Sequence, residues 1–394
     1  MKFNTINMED ALDKLIDYRG KTPKKSEIGI VTLSAKSVKN NYIDYSQCYY
    51  ISEEEYKKFM VRGFPKKGDI LLTTEAPLGM VARLDRDDVA IAQRLLILRG
   101  KKDVLDNDYL LYYLQSPFGQ ASLRARETGT TVTGIKQAEF RKMEIKIPDY
   151  ENQKKISGIL KSIDKKIKLN NEINNNLLEQ VLAIYRYRFV DTTNELRQTC
   201  RADEYFDISI GKTPPRKEPQ WFSTNPKDVT WVSISDMGTC GLYISKSSKQ
   251  LTREAVDHHN VKIVPDNTIL LSFKLTVGRI AITDGEMTTN EAIAHFKTNK
   301  KEINEYLYCY LKCFNYQTMG STSSIATAVN SKIIKGMPFV VPTNEEITEF
   351  HSLAAPMFAK IKANQAEISN LTKLRDTLLP KLISGELDVS DIDI

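Results

Sequence analysis

The sequence predicts an α+β fold in which two tandem globular modules alternate with two long helices. Three observations predict it. Short strings recur in the same order about half a chain apart, the matched strings contain apolar strand-like runs, and each copy ends at a proline that precedes a long polar heptad pattern. The 394 residues, 41% of them hydrophobic, suffice for two or three globular units. We therefore expect a diverged internal duplication.

Four pairs of strings carry the duplication. They are RGKTPKK (19–25) with IGKTPPRK (210–217), FPKKGDILLTTEAPLGMVARL (64–84) with IVPDNTILLSFKLTVGRIAIT (263–283), NDYLLYYLQS (107–116) with INEYLYCYLK (303–312), and TGIKQAEFRKMEIKIP (133–148) with NSKIIKGMPFVVP (330–342). Between these blocks, notably at 34–60 and 232–260, the halves share little sequence. The pattern indicates one scaffold, used twice, that presents two different surfaces.

Each module has the pattern of a small antiparallel or mixed sheet followed by a short helix. The strand-like runs are GDILLTT, GMVARL and AIAQRLLILR in the first module, and VTWVSIS, NTILLSF and GRIAIT in the second. The short helices are expected at DNDYLLYYLQS and INEYLYCYLKC. We place the first module at residues 1–148, the first long helix at 149–190, the second module at 191–342, and the second long helix with its tail at 343–394.

Both long helices have apolar positions that alternate in steps of three and four, the pattern of a coiled-coil seam. The predicted seam residues are Ile156, Leu160, Ile163, Ile167, Asn170, Asn174, Leu177, Val181 and Ile184 in the first helix, and Ile347, Phe350, Ala354, Met357, Ile361, Asn364, Ile368, Leu371, Arg375, Leu378 and Leu382 in the second. We expect the helices to pair as an antiparallel coiled coil with pseudo-twofold symmetry.

Several residues on these helices carry expectations of their own. Pro356 should kink the second helix or make it restart, Pro380 should disturb its last turns, and Gly385 should end it. The seam residues Asn170, Asn174 and Asn364 admit two interpretations. They specify register as buried polar pairs, or they lie where the crossing is solvated.

The sequence lacks recognisable catalytic equipment. The two GKT strings, at 20–22 and 211–213, have no Walker glycine at the required spacing and are followed by proline, and no GxGxxG follows a strand. His258 and His259 lack a spaced third ligand, and Cys309 and Cys313 have the spacing of helix packing. We predict no catalytic residues and no metal site in this chain.

Composition indicates the cellular compartment and the kind of partner that the chain can bind. Five cysteines without a CxxC favour a reducing cytosol, and the N-terminus has no apolar signal region, so we predict a cytoplasmic protein that does not enter a membrane. The 56 Lys and Arg against 50 Asp and Glu make the chain mildly basic, with a net charge of +6. Such a charge permits a polyanionic partner without proving one.

Taken together, these features resemble the specificity (S) subunit of Type I restriction-modification systems, over nearly the whole chain. The most telling string is LRDTLLPKLISGELDV (374–389), which looks like the family's terminal signature, with LLEQVLAIYRYRF (177–189) as its first-half counterpart. Also similar are the paired GDILLTT and NTILLSF strands, both TP turns, the TGIKQAEFRKMEIKIP run, and the ENQKKISGILKSID opening of the first long helix.

The resemblance implies a non-catalytic reader of double-stranded DNA. Each module would be a target recognition domain, the helices would be the spacer, and two methyltransferase (M) subunits and the restriction and translocase (R) subunits would dock around them. S-adenosylmethionine, ATP and magnesium would then belong to those partners. Because the modules differ, the target should be asymmetric and bipartite.

Side chains that reach base edges read sequence, and side chains that reach phosphates fix register. Basic and amide residues near turns are therefore the DNA-binding candidates. In the first module they are Lys21, Lys24, Lys25, Lys36, Lys39, Arg83, Gln93, Arg94, Arg124 and Arg126, and in the second Lys212, Arg216, Lys217, Lys246, Lys249, Lys274, Arg279 and Asn290. The Ser/Thr/Gly loops 127–134 and 320–330 are further phosphate-binding candidates or ordinary supporting loops.

A different class of function also fits part of the pattern. A coiled-coil scaffold or adaptor, whose modules bind protein partners, would account for residues 156–382 alone. Steep salt dependence of duplex binding distinguishes a DNA reader from such an adaptor.

Overall fold

The structure is a computed structural model that describes residues 1–18, 20–129, 133–192, 194–319 and 329–392. The chain forms two compact units, one made of residues 1–167 and 370–394 and the other of residues 168–369. Each unit therefore contains one globular module together with one end of each long helix.

The first module is built from short strands and short helices. Its strands are β1 Phe3–Asn7, β2 Leu12–Asp17, β3 Ile30–Leu33, β4 Val38–Lys39, β5 Tyr42–Ile43, β6 Tyr49–Ile51, β7 Ile70–Thr73, β8 Val81–Arg83, β9 Val89–Ile91, β10 Leu95–Gly100 and β11 Glu144–Pro148. Its helices are α1 Met8–Ala11, α2 Glu53–Phe59, α3 Asn107–Gln115, α4 Pro117–Arg124 and α5 Gln137–Arg141. The first long helix, α6 Tyr150–Tyr185, follows.

The main sheet of this module is antiparallel, in the order β2-β10-β7-β8. All four residues of β7 are buried, as the continuous apolar run ILLT predicts for a central strand. A second sheet, β6-β3-β9, contains one parallel pair, so the module is mixed. The first and last strands, β1 and β11, pair with each other and close the module.

The second module uses the same kinds of element. Its strands are β12 Gln198–Arg201, β13 Asp207–Ile210, β14 Phe222–Ser223, β15 Val229–Val232, β16 Tyr243–Ile244, β17 Lys249–Leu251, β18 Ile269–Ser272, β19 Ile280–Thr283, β20 Thr288–Thr289, β21 Ile293–Lys297 and β22 Pro338–Val341. Its helices are α7 Ala202–Tyr205, α8 Ile234–Met237, α9 Arg253–His258, α10 Asn304–Cys313 and α11 Ser331–Lys335, and the second long helix, α12 Asn344–Ser384, follows.

The topology of the second module repeats that of the first. Its main sheet has the order β13-β21-β18-β19-β16, and its first and last strands, β12 and β22, again pair antiparallel. The parallel pair β15–β20 corresponds to β3–β9. The predicted duplication of an α+β module with a mixed sheet is thus confirmed.

The two modules differ in structure over fewer residues than they differ in sequence. Strand β6 leads through Ser52 into α2, and β17 leads through Thr252 into α9, with each hydroxyl accepting a backbone N–H of the helix at 3.1 Å. These elements correspond although 34–60 and 232–260 share little sequence. The architecture differs in one stretch of each module. Residues 34–48 of the first module contain the β4–β5 hairpin, whereas residues 233–248 of the second contain α8 and β16.

The long helices run antiparallel within each unit. In the first unit, Arg375 Nη1 of α12 donates to Asp164 Oδ1 of α6 at 3.0 Å, and Ile156 and Leu160 share a core with Leu382. In the second unit, Asn170 of α6 pairs with Glu367 of α12, and Asn174 pairs with Asn364. Arg188, three residues beyond the end of α6, pairs with Glu349, so the order continues in the same antiparallel sense. The predicted antiparallel pairing is confirmed, and the pseudo-twofold symmetry stays a prediction.

The buried asparagines of the seam are paired. Asn364 Nδ2 donates to Asn174 Oδ1 at 2.8 Å, and Asn170 Nδ2 donates to Glu367 Oε2 at 2.8 Å. Asn170 and Asn364 are each only 1% exposed. The first interpretation, buried polar pairing, is therefore the one observed, and the solvated crossing is wrong for these residues.

The prediction that α12 restarts at Pro356 is wrong, because the helix is continuous from Asn344 to Ser384 and so passes Pro380 as well. Pro356 is exposed, so its ring and the one missing backbone bond lie on the solvent side, while Ala354 and Phe358 hold the opposite face in the core. Buried contacts outweigh a proline cost of roughly 3 kcal/mol. Gly385 ends the helix, with a φ of +80°.

The C-terminal string and its first-half counterpart have the same role in packing. Leu382, Ile383 and Val389 are buried in the core of the first module. Val181 and Tyr185 are buried in the core of the second module, where the Tyr185 ring lies 5.4 Å from the Tyr306 ring of α10. Each string therefore attaches a helix end to the module of its own unit.

Candidate nucleic-acid interface

The hairpin that joins β7 to β8 is closed by a buried hydroxyl. Thr73 Oγ1 donates to the Pro77 carbonyl at 2.6 Å and accepts from the Met80 N–H at 2.9 Å, while the Gly79 N–H donates to the Thr73 carbonyl at 3.0 Å. Thr73 is 0% exposed. These bonds hold the tip of the hairpin in one conformation.

The hairpin between β18 and β19 has the same closure. Ser272 Oγ donates to the Thr276 carbonyl at 2.6 Å and accepts from the Arg279 N–H at 3.0 Å, while the Gly278 N–H donates to the Ser272 carbonyl at 3.0 Å. We call this arrangement, centred on Thr73 in one module and Ser272 in the other, the hydroxyl clasp. It places the tips 74–79 and 273–278 in equivalent positions on equivalent sheets.

A charged cluster surrounds the tip in the second module. Thr213 Oγ1 donates a hydrogen bond to Glu291. Partial burial opposes ionisation of this carboxyl, but the Thr213 bond and the nearby positive charges of Arg216 and Lys274 hold its pKa below the usual value. Two of the predicted basic candidates, Arg216 and Lys274, thus act electrostatically on the same acidic residue.

The tip in the first module has a different set of neighbours. Arg94 Nε lies 2.6 Å from Glu75 Oε1. The Ile135 N–H donates to the Thr74 carbonyl at 2.9 Å and Gly134 forms a β-bridge with Glu75, so the last residue of the polar loop 127–134 lies beside the tip. Residues 130–132 of that loop, and residues 320–328 of the corresponding loop in the second module, lie outside the described residues.

Equivalent backbone positions therefore present opposite charges. Glu75 stands two residues after the clasp residue in the first module, and Lys274 stands two residues after it in the second. A carboxylate can accept from the cytosine amino group, whereas lysine suits guanine O6 and N7 or a phosphate. The two tips are chemically suited to different DNA contacts.

Several candidates have polar partners inside their own unit. These contacts are Arg83 with Asp108 at 2.8 Å, Arg94 with Glu75 at 2.6 Å, Arg126 with Glu139 at 3.9 Å, Lys212 with the His259 carbonyl at 2.7 Å, Lys246 with Ser369 Oγ at 2.8 Å and Arg279 with the Ile234 carbonyl at 2.6 Å. Arg279 and Lys246 brace the divergent segment 233–248, since one bonds its first helix and the other bonds from it to α12.

Three lysines lie over aromatic rings. Lys25 is 4.8 Å from the centroid of Tyr49, Lys249 is 5.8 Å from Phe222, and Lys274 is 5.6 Å from Phe273. Contact of this kind restrains a long side chain while its ammonium group keeps access to solvent. These lysines are partly preorganised for an anionic partner.

The remaining candidates divide by exposure. Exposed side chains are those of Lys21, Lys24, Lys36, Arg124, Arg216 and Lys217, while Lys39 and Gln93 are half-buried. Asn290 is 7% exposed, and its Oδ1 accepts from the Ala292 N–H at 3.1 Å, so its amide shapes the turn before β21. The DNA-binding role of each candidate stays a prediction.

Basic charge does not identify the acidic, hydroxylic and apolar residues of the two tips. Glu75, Thr213, Glu291 and Leu275 belong to the same sites but carry no charge signal for DNA. The available signal was positional, because the aligned hairpins EAPLG and KLTVG differ at their tips within otherwise matched strings.

The motifs set aside in the sequence have structural roles. In the second GKTP turn the Lys212 N–H donates to the Thr289 carbonyl at 2.9 Å, and the Trp231 indole donates to the Lys212 carbonyl at 3.2 Å. His258 stacks on Trp221 with a centroid separation of 5.3 Å. Among the described residues no cluster of three metal-ligating side chains occurs.

Comparison with known proteins decides the family. The model for the Type I restriction modification DNA specificity domain matches this chain twice, at residues 11–179 and 195–370. The chain belongs to this family. Its two tandem domains make it a specificity subunit of a Type I restriction-modification system, a component that binds DNA and assembles with other subunits and to which catalysis does not belong.

Individual relatives agree with the family model. The Type I restriction enzyme MjaIX specificity subunit of Methanocaldococcus jannaschii is 27% identical over 87% of this chain and 82% of its own length. The HindI specificity subunit of Haemophilus influenzae is 22% identical over 82% of this chain and 87% of its own length. The predicted resemblance is confirmed.

A solved structure supports the fold. The crystal structure of a Type I restriction-modification S subunit from M. genitalium aligns with a TM-score of 0.57, at 16% identity, over 97% of this chain and 96% of that chain. In the described part of this specificity subunit, no helix is long and apolar enough to cross a membrane.

Proposed function

We propose that the two modules of this specificity subunit read the two different halves of an asymmetric bipartite target in double-stranded DNA. The observation that carries the proposal is the hydroxyl clasp, which presents Glu75 and Ala76 in one module, and Lys274 and Leu275 in the other, from equivalent backbone positions. Equal scaffolds with unequal tips should read unequal base pairs.

The proposed assembly contains two methyltransferase subunits together with restriction and translocase subunits. The tandem duplication supports a pair of methyltransferase sites, one for each repeat. S-adenosylmethionine, ATP and magnesium would be bound by those partners, and the complex would act in the cytoplasm. The present chain would supply sequence recognition and docking.

The experiment that tests this proposal is methylated-base mapping of the host genome. Deleting the gene for this chain should abolish one asymmetric bipartite methylation motif, and restoring the chain should restore it. If deletion left every motif in place, the proposal would be rejected. The alternative of a protein-binding adaptor predicts that result, together with duplex binding that does not fall with salt.

The same mapping tests the role of the long helices. Each helix rises about 1.5 Å per residue, so one added heptad in both helices lengthens each by about 10 Å. Inserted at matched depth, it should change the length of the unread spacer and leave both half-sites intact. Altered half-site bases with an unchanged spacer would show that the helices do not set the spacing.

A further inference from the structure

The tip of the β18–β19 hairpin carries a leucine in an unusual conformation. Leu275 is 100% exposed and has a φ of +61°. The Thr276 N–H donates to the Lys274 carbonyl at 2.7 Å, which closes a three-residue turn around Leu275. A γ-turn with positive φ is rare and strained, and such strain persists only where the surrounding structure imposes it.

The surrounding structure does impose it. The clasp of Ser272 fixes the carbonyl of Thr276 and the N–H of Arg279, on the C-terminal side of the turn. Lys274 is restrained on the other side, where its ammonium lies over the ring of Phe273. The hairpin therefore fixes the backbone at Leu275 and leaves its large apolar side chain in water, an arrangement that folding alone does not explain.

The charges around the tip indicate what it meets. Lys274 adjoins Leu275 in sequence, and Arg216 is near enough to Glu291 to lower that carboxyl's pKa together with Lys274. An apolar side chain next to a cation complements duplex DNA, in which phosphates border a groove that exposes thymine methyl groups. A wholly apolar protein surface would not match the charge of Lys274.

We propose that Leu275 is a base-reading side chain of the second module, in apolar contact with a thymine methyl group, with Lys274 on an adjacent phosphate. This inference rests on the proposed function, since it names the contact by which one module reads its half-site. The equivalent residue of the first module is Ala76, with a φ of +49°, so the first half-site lacks this contact.

The first test substitutes Leu275→Ala in the host and maps methylated bases. The second half-site should relax at the thymine position, with about fourfold weaker discrimination there, and the first half-site should not change. Leu196→Ala is the matched control, because Leu196 is also in the second unit, is 77% exposed and lies outside the hairpin. It should leave both half-sites as they are.

Two outcomes would overturn the inference. One is a Leu275→Ala motif identical to that of Leu196→Ala. The other is a uniform fall in methylation at unchanged specificity, which would indicate a lost protein contact or misfolding. Thermal melting and co-purification with the methyltransferase identify the cause of a uniform fall, and in either case Leu275 would not be a base reader.

The second test removes the methyl group from the DNA instead. Duplexes bearing the mapped target, with uracil in place of each second-half thymine in turn, are bound to the purified complex. One replacement should weaken wild-type binding about fourfold, the value of one buried methyl group. It should have no effect on the Leu275→Ala complex. Equal losses in both complexes, or a second half-site without thymine, would overturn the thymine contact.

Lys274→Gln separates the phosphate contact from base reading. It should weaken binding to all duplexes alike and reduce the salt slope by about one. A changed base preference would contradict that assignment. If gene deletion removes the bipartite motif but these variants do not behave as stated, only this inference fails. If deletion removes no motif, the proposed function itself fails.

Discussion

The two modules differ at a buried position where their strands correspond. In the first module Ile97 of β10 pairs with Ile16 of β2, and in the second His295 of β21 pairs with Ser209 of β13. The Ile97 site is apolar, whereas His295 Nδ1 lies 3.0 Å from Ser209 Oγ and His295 Nε2 lies 2.7 Å from Thr289 Oγ1. The duplicated fold accepts an apolar core or a fully hydrogen-bonded polar one.

The polar His295 site makes the stability of the second module depend on pH, whereas the apolar Ile97 site has no such effect in the first. Burial lowers the pKa of His295 to about 3, with Lys297 contributing, from an ordinary value of 6.5. The folded second module therefore holds a neutral ring, while the unfolded chain takes up a proton. Stability should be complete above pH 6.5 and should be lost progressively as the pH falls toward 3.

The largest expected effect is on the pH dependence of the second module. Between pH 7 and pH 4.5 its free energy of unfolding should fall by about 3 kcal/mol through His295. Both tryptophans, Trp221 and Trp231, lie in this module, so urea unfolding followed by tryptophan fluorescence reports it selectively.

His295→Gln is the control for this prediction. The amide keeps hydrogen-bonding capacity but does not titrate, so most of the pH-dependent loss should disappear whatever the variant's stability at pH 7. A fall of equal size in both proteins would show that His295 is not its source. Carboxylates such as Glu346, whose pKa is lowered to about 2 by Arg197 and Asn194 despite partial burial, lose their contribution only below about pH 4.5.

The hydroxyl clasps should give a smaller effect, similar in the two modules. Thr73→Val and Ser272→Ala each leave a half-buried backbone N–H without its partner, and each should cost about 1 kcal/mol. Hydrogen exchange of the hairpin peptides measures both losses on the same scale. A loss in only one module would mean that the two clasps, alike in geometry, do not contribute alike to stability.

The smallest expected effect concerns the strained tip. Leu275→Gly should stabilise the second module by about 0.5 kcal/mol, because glycine relieves the positive φ but costs backbone entropy. The midpoint of urea unfolding, followed by tryptophan fluorescence, checks this. Destabilisation instead would show that the leucine side chain makes a stabilising contact and that the tip is not held under strain.

Much of the architecture was predictable from local patterns. Apolar runs between turn residues predicted β7, β10, β18 and β19, and the alternation of three and four predicted the antiparallel helix pair. Because the two modules share similar strings in the same order, the duplication could be recognised in the sequence. The family resemblance followed from these strings, and both domain matches confirm it.

The sequence alone determined which segments form several central strands, which form the long helices and that the scaffold occurs twice, because periodicity and repetition are visible in the order of residues along the chain. Only the tertiary structure decided which residues meet across the chain. Ser209 and His295 are 86 residues apart, Asn174 and Asn364 are 190 apart, and Pro356 is tolerated because packing outweighs its local preference. Such pairs depend on strand register and on how the helices pack. Both follow from burial summed over a whole core, so they leave no short-range signal in the sequence.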